Sequence, residues 1–179
     1  MIEAEIKVEA IHDDVRPEIE RLGAASLGDV MQTDVYYSAP HREFAETDEA
    51  LRVRVEGDVA YVTYKGPKLA AGTKSRREID LRVSSAEDAS AMLRALGFEE
   101  YGRVEKHREE YAYGDFHVAL DSVDGLGEYV EVETKVERDD VDAAHQELER
   151  LLADLGLDPG DAISTSYLEM LVAADETGW

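Results

Sequence analysis

Apolar and polar residues alternate from the first positions of the chain. In MIEAEIKVEA, Ile2, Ala4, Ile6 and Val8 interleave with Glu3, Glu5 and Lys7. A period of two sends the two sets to opposite faces of a strand, so residues 1–9 predict a β-strand. The same reading predicts a strand at 29–39 and a hairpin at 50–66 turned by Gly57 and Asp58. Further strands are predicted at 74–83, 100–113, 115–123 and 128–137, the last two joined around DGLG. Helical signals separate them. Residues 13–23 carry Asp near the start, Pro17 in the first turn and Gly23 as a stop. Residues 84–97 open with a Ser84-x-x-Glu87 capping box. Residues 139–156 are amphipathic through Val141, Leu148, Leu151, Leu152 and Leu155, and 165–174 predict a short last helix. About eight strands thus come in two sets, each accompanied by a helix. No linker or low-complexity segment interrupts them, so 1–179 reads as one α+β domain.

Each charged strand face repeats the opening pattern. Arg52, Arg54 and Glu56 oppose Leu51, Val53 and Val55. Tyr61, Thr63 and Lys65 share a face, as do Arg76, Glu78 and Asp80, and Lys106, Arg108 and Glu110. Glu131, Glu133 and Lys135 oppose Val130, Val132 and Val136. Two arrangements satisfy this pattern. An ordinary antiparallel sheet puts the charged face in water. An eight-stranded barrel can instead turn it inward and leave the apolar outside to be covered by helices.

Composition bears on that choice. The net charge is -23, with 42 Asp and Glu against 19 Lys and Arg, of which six are Lys. A surface built from this composition should be dotted with carboxylates, yet the strand faces concentrate the scarce basic groups and segregate them by sign. An inward charged face is therefore expected: an eight-stranded antiparallel β-barrel or tunnel with a charged lumen, flanked by helices. The diffuse acidic excess also suits a protein kept soluble in a very saline cytoplasm, and it disfavours nucleic-acid binding, which needs a basic surface. No apolar run is long enough to span a membrane, no signal peptide is evident, and Cys is absent, so a cytoplasmic location is expected. A homodimer is compatible with these features.

Lys and Arg groups converging in a confined space bind a polyanion. Carboxylates among them would repel a bare phosphate but serve as oxygen ligands for Mg²⁺ or Mn²⁺. Basic clamps with a divalent metal are the equipment of phosphoryl or nucleotidyl transfer.

The ordered segments EAEIK, TDVYY (33–37), ALRVR (50–54), YVTYKGP (61–67), KSRREI (74–79), VEKHR (104–108) and ALDSVDGLGEYVEVE (119–133) resemble the CYTH superfamily, the triphosphate tunnel metalloenzymes, over nearly the whole chain. KGPK…KSRREI, DGLGEYVEVE and SYLEML look most like its class IV adenylyl cyclase branch. The resemblance implies that Glu3, Glu5, Glu131 and Glu133 hold metal ions. It implies that Lys7, Arg52, Arg54, Lys65, Arg76, Lys106 and Arg108 grip a triphosphate, with Lys7, Arg52, Arg54, Lys65 and Asp121 nearest the chemistry. Asp121 would assist the metal or orient a base, Glu78 is a polar position of less defined role, and Tyr167 packs over a tunnel mouth.

GPKLAAGTKS (66–75) imitates a phosphate-binding Walker loop but has one residue too many between its glycines, and Thr73 intrudes before Lys74. It reads as a basic loop between two strands. Arg77 and His107 fall on outward positions, and the five His show no metal-ligand spacing. The implied activity is conversion of ATP to cyclic AMP and pyrophosphate. The alternative is hydrolysis of inorganic or nucleoside triphosphate in the same tunnel. A noncatalytic polyphosphate-binding module is a remoter alternative, since all four Glu are retained.

Overall fold

The computed structural model describes residues 2–69 and 75–176. Strands β1 (Ile2–Glu9), β2 (Ala25–Ser38), β3 (Ala50–Glu56), β4 (Val59–Lys68), β5 (Arg76–Val83), β6 (Glu99–Tyr113), β7 (Phe116–Val123) and β8 (Gly127–Val136) form a closed barrel. Their order around it is β1-β5-β4-β3-β2-β6-β7-β8, and every pairing is antiparallel. Five helices flank it: α1 (His12–Leu22), α2 (Phe44–Thr47), α3 (Ala86–Ala95), α4 (Val141–Asp154) and α5 (Tyr167–Glu176). Alternation located the strands well because most have one buried apolar face. Strand β2 starts earlier than expected, at Ala25, and the four-residue α2 carries no periodicity that sequence could reveal.

The outer faces of β1, β7 and β8 pack Ala4, Ile6, Val8, Val118, Leu120, Val130 and Val132 against α1 and α4. Val15 and Ile19 come from α1, and Leu148, Leu151, Leu152 and Leu155 come from α4 and its end. Each such side chain contributes roughly 1.5–3 kcal/mol by leaving water. A second cluster sets Tyr37, Leu51 and Val53 of β2 and β3 against Ala89 and Leu93 of α3. The helical cover is incomplete: Leu81 on the outside of β5 is 59% exposed. Gly23 ends α1 with φ 73°, a left-handed conformation that glycine adopts without steric cost. The cap of α3 is Ser85, whose side chain accepts from the Asp88 N–H, so the working pair is one residue later than the expected Ser84 and Glu87. Among the described residues no helix is long and apolar enough to cross a membrane. Residues 70–74 of the Walker-like segment lie outside the described residues.

Strand β1 runs fully along β8 but meets β5 at one register pair, Glu3 with Arg76. The barrel therefore closes through a narrow seam at the point where the first carboxylate faces a cation. A third apolar cluster lies at one barrel end: Val104, Val123 and Tyr129 pack with Tyr167 and Leu168 of α5. Gly102 is needed there, because a Cβ at that position would collide with the Leu168 side chain. The C-terminal helix thus lies across one end of the lumen.

Candidate active site

The charged faces point inward. A cavity of about 650 Å³ is lined by residues of β1, β2, β3, β4, β5, β6 and β8, with α5 along one flank. Its size falls within the range of small-molecule sites. Of the expected groups, Glu3, Glu5, Arg52, Arg54, Lys65, Arg76, Lys106, Arg108, Glu131 and Glu133 line it.

Strand register sets the acidic wall. Glu5 sits opposite Glu133, Lys7 opposite Glu131, and Glu3 opposite Lys135. Burial raises the Glu3 carboxyl to about 8, Lys65 opposes the rise and Glu133 adds to it. Burial likewise raises Glu133, with Arg108 opposing and Glu5 and Glu131 reinforcing. A Glu3 carboxyl raised to about 8, beside a Glu133 carboxyl that is also raised, marks a place short of positive charge. No three carboxyl or imidazole groups among the described residues already converge as a metal cage. One reason is that Arg108 draws Glu131 to 2.5 Å. The donor set still fits a hard divalent cation: four oxygen-bearing side chains on two adjacent strands, two of them with raised pKa.

The basic groups are held by buried acids. Asp34 takes both Arg54 Nε (2.6 Å) and Nη2 (2.7 Å) and accepts from Arg52 Nη1 at 3.2 Å. Burial alone would raise the Asp34 carboxyl; Arg52 and Arg54 override it and hold it well below the usual range. Arg52 Nε is buried with no acceptor among the described residues, a donor for an incoming anion. Lys65 pairs with Glu78. Arg76 reaches the carbonyls of Gly66 (3.4 Å) and Asp48 (3.5 Å).

Asp121 is fully buried and organises the opposite side. It accepts from Lys106 Nζ (2.8 Å), Arg108 Nε (2.7 Å) and Nη2 (2.6 Å), and Tyr167 Oη (3.0 Å). Burial and the adjacent Arg108 push the Lys106 ammonium down to about 8. Asp121 therefore holds the basic groups in place rather than standing in the open cavity.

Lys7 is placed differently from the other expected clamps. It is fully buried, its Nζ donates to the Thr165 carbonyl at 2.5 Å, and it lies 4.1 Å from the Tyr167 ring centroid. In this arrangement Lys7 secures the segment that leads into α5. Tyr167 packs over the barrel end, as the sequence suggested. His107 faces outward and meets Asp29 at 2.7 Å, and Arg77 is exposed. His12 is buried, with Nε2 3.0 Å from the Tyr129 carbonyl oxygen.

Sequence reasoning assigned no role to Asp34 or Gln32, although alternation from Tyr36 places both on the lumen side. The available signal was an acid inside TDVYY, on a strand with no basic partner of its own. Its partners, Arg52 and Arg54, come from the neighbouring strand.

A closed antiparallel barrel lined by opposed cations and carboxylates defines a tunnel-type anion-processing fold. The chain belongs to the CYTH family: the CYTH domain model matches residues 1–167. A Methanocaldococcus jannaschii protein with a provisional adenylate cyclase name is 36% identical over 174 residues, covering 95% of this chain and 98% of that one. The adenylate cyclase CyaB of Aeromonas hydrophila is 26% identical over 144 residues, covering 79% and 72%. The solved structure of the PH1819 protein from Pyrococcus horikoshii superimposes with TM-score 0.89 at 34% identity, covering 96% and 99%. Members of the CYTH family are enzymes acting on triphosphates, and its triphosphate tunnel metalloenzymes use divalent metals.

Proposed function

We propose that this protein is a metal-dependent adenylyl cyclase that binds ATP in the barrel lumen and releases cyclic AMP and pyrophosphate. The observation that carries the reading is one cavity that gathers Arg52, Arg54, Lys65 and Arg76 with the carboxylate wall of Glu3, Glu5, Glu131 and Glu133. The full-length likeness to a relative with a provisional cyclase name supports cyclisation over hydrolysis.

Arg52 and Arg54 neutralise phosphate charge, with Asp34 fixing their direction. Lys65, Arg76, Lys106 and Arg108 offset the charge that accumulates on the departing pyrophosphate. Lys7 joins them once Thr165 and Tyr167 yield their hold on it. The ribose 3′-oxygen forms a bond to the α-phosphorus, the bond from that phosphorus to the bridging oxygen breaks so that pyrophosphate leaves, and the hydroxyl proton passes to solvent water. Glu3, Glu5, Glu131 and Glu133 would hold the divalent ion, Mg²⁺ or Mn²⁺. When bound, the ion supplies Lewis-acid polarisation of phosphate oxygens and lowers the pKa of the attacking hydroxyl. The high negative charge, read as adaptation to a saline cytoplasm, sets molar KCl as the working medium.

The test gives the purified protein ATP and inorganic triphosphate separately, in molar KCl with Mg²⁺ or Mn²⁺. Cyclic AMP with equimolar pyrophosphate is expected. Orthophosphate from either substrate without cyclic AMP would replace the cyclase by a triphosphatase, and turnover of neither would end the catalytic reading. Glu133→Gln should abolish metal-dependent turnover while the protein remains folded.

A further inference from the structure

The mechanism above makes no use of Gln32, yet it is among the most buried polar side chains in the molecule, at 1% exposure. It lies on the lumen side of β2, opposite Glu56 on one side and Lys106 on the other. Its Nε2 donates to Glu56 Oε2 at 2.6 Å. That bond fixes the amide, because turning it over would set oxygen against carboxylate. Oε1 therefore faces away from Glu56, and it is buried with no hydrogen-bond partner among the described residues.

The nearby cations make no hydrogen bond to Oε1. Lys106 is committed to Asp121, and Arg54 to Asp34 through two bonds. A phosphate cannot do so either, since ionised phosphate oxygens are acceptors and would be repelled. The missing partner must bring an N–H or O–H. Gln32 and Asp34 are two residues apart on one strand face, roughly 7 Å at the usual strand rise. A ligand that reaches both the arginines at Asp34 and the carbonyl of Gln32 therefore carries phosphate and a hydrogen-bond donor about that far apart. Inorganic triphosphate has the first without the second. Tyr61 and Glu56, which also line this part of the cavity, add a ring and a further acceptor, again matching an organic moiety rather than phosphate.

We propose that Gln32 is a specificity-determining residue: its Oε1 accepts a hydrogen bond from the nucleoside part of a nucleoside triphosphate, and so separates that substrate from inorganic triphosphate. This deepens the reading of the tunnel as a triphosphate site and rests on it. The donor is the base amine or the ribose 2′-hydroxyl, the 3′-hydroxyl being the attacking group, and the two are separable.

Equilibrium dialysis in molar KCl and EDTA, where metal-dependent turnover is suppressed, gives the dissociation constants. The probes are ATP, inosine triphosphate, 2′-deoxy-ATP and inorganic triphosphate. Gln32→Leu should weaken ATP about tenfold, the scale of one hydrogen bond, and leave inorganic triphosphate within about twofold. With the unaltered protein, a comparable loss on inosine triphosphate assigns the donor to the base amine, and a loss on 2′-deoxy-ATP assigns it to the ribose. These arms need no variant, so they can overturn the proposal even if Gln32→Leu folds poorly. Equal losses for ATP and inorganic triphosphate in the variant, or no loss, would overturn the role of Gln32 alone. So would equal binding of all three nucleotides by the unaltered protein. Failure of that protein to bind any of the four, in EDTA and again with Mn²⁺ restored, would bring down the triphosphate reading and this inference together.

Discussion

Replacing Asp121 by Asn tests whether the lumen is held together by its buried charges. The side chain keeps its shape and one acceptor oxygen, but the negative charge is lost. Four donors converge on it: Lys106 Nζ, two nitrogens of Arg108, and Tyr167 Oη, all between 2.6 and 3.0 Å. Lys106, Arg108 and Tyr167 are themselves buried, so water cannot take over. After the change Glu131 is the acid still bonded to Arg108, and Lys106 keeps no carboxylate at bonding distance among the described residues. Removing one partner of a buried ion pair costs about 3–5 kcal/mol. That is a large part of the roughly 5–15 kcal/mol that holds a domain folded. At about 2–4 °C per kcal/mol for a chain of this length, the midpoint should fall by roughly 6–20 °C.

Thermal melts of both proteins at equal KCl give the difference. The loss should persist in molar salt, because buried pairs are screened far less than surface ones. Lys106→Met in the Asp121→Asn background removes the stranded ammonium, so the double variant should recover part of the loss, with a coupling on the order of 0.5–3 kcal/mol. A fall of less than about 1 kcal/mol, or strict additivity of the two changes, would refute the account of Asp121 as anchor.

Three further outcomes follow. Glu3, raised from 4.5 to about 8, binds more protons folded than unfolded between those values, so its contribution to stability declines as pH climbs from about 4.5 to about 8. A divalent ion at that wall displaces the protons, so titration with Mn²⁺ near pH 7 in two buffers of different ionisation enthalpy should show net proton release, and none would contradict the site. Gly102→Ala places a methyl against Leu168 and should cost about 1–3 kcal/mol while lowering hydrogen-exchange protection in α5. Unchanged protection would show that α5 is not seated through Leu168.

What sequence made legible depended on which physical signal was local. The barrel was readable because the alternation of Ile2, Ala4, Ile6 and Val8 with Glu3, Glu5 and Lys7 is a property of one strand, and the same period recurred in the other strands. The direction of the charged faces followed from composition, since basic residues are scarce in a chain of net charge -23. Asp34 was not legible as an anchor because its meaning lies in Arg52 and Arg54 on the adjacent strand, and cross-strand register cannot be read from a single strand. Lys7 shows the same limit from the other side. Its sequence position makes it a third member of the Glu3–Glu5 face, and that face does point inward. But Thr165, 158 residues away, accepts its ammonium. Whether Lys7 meets substrate is therefore decided by how firmly α5 is seated, which depends on Gly102 letting Leu168 approach and on Tyr167 reaching Asp121. Lys7 and Asp121 thus touch the segment that closes the barrel end, and Asp121 also holds Lys106 and Arg108, so on the proposed reading binding at the lumen is coupled to the seating of the C-terminal helix.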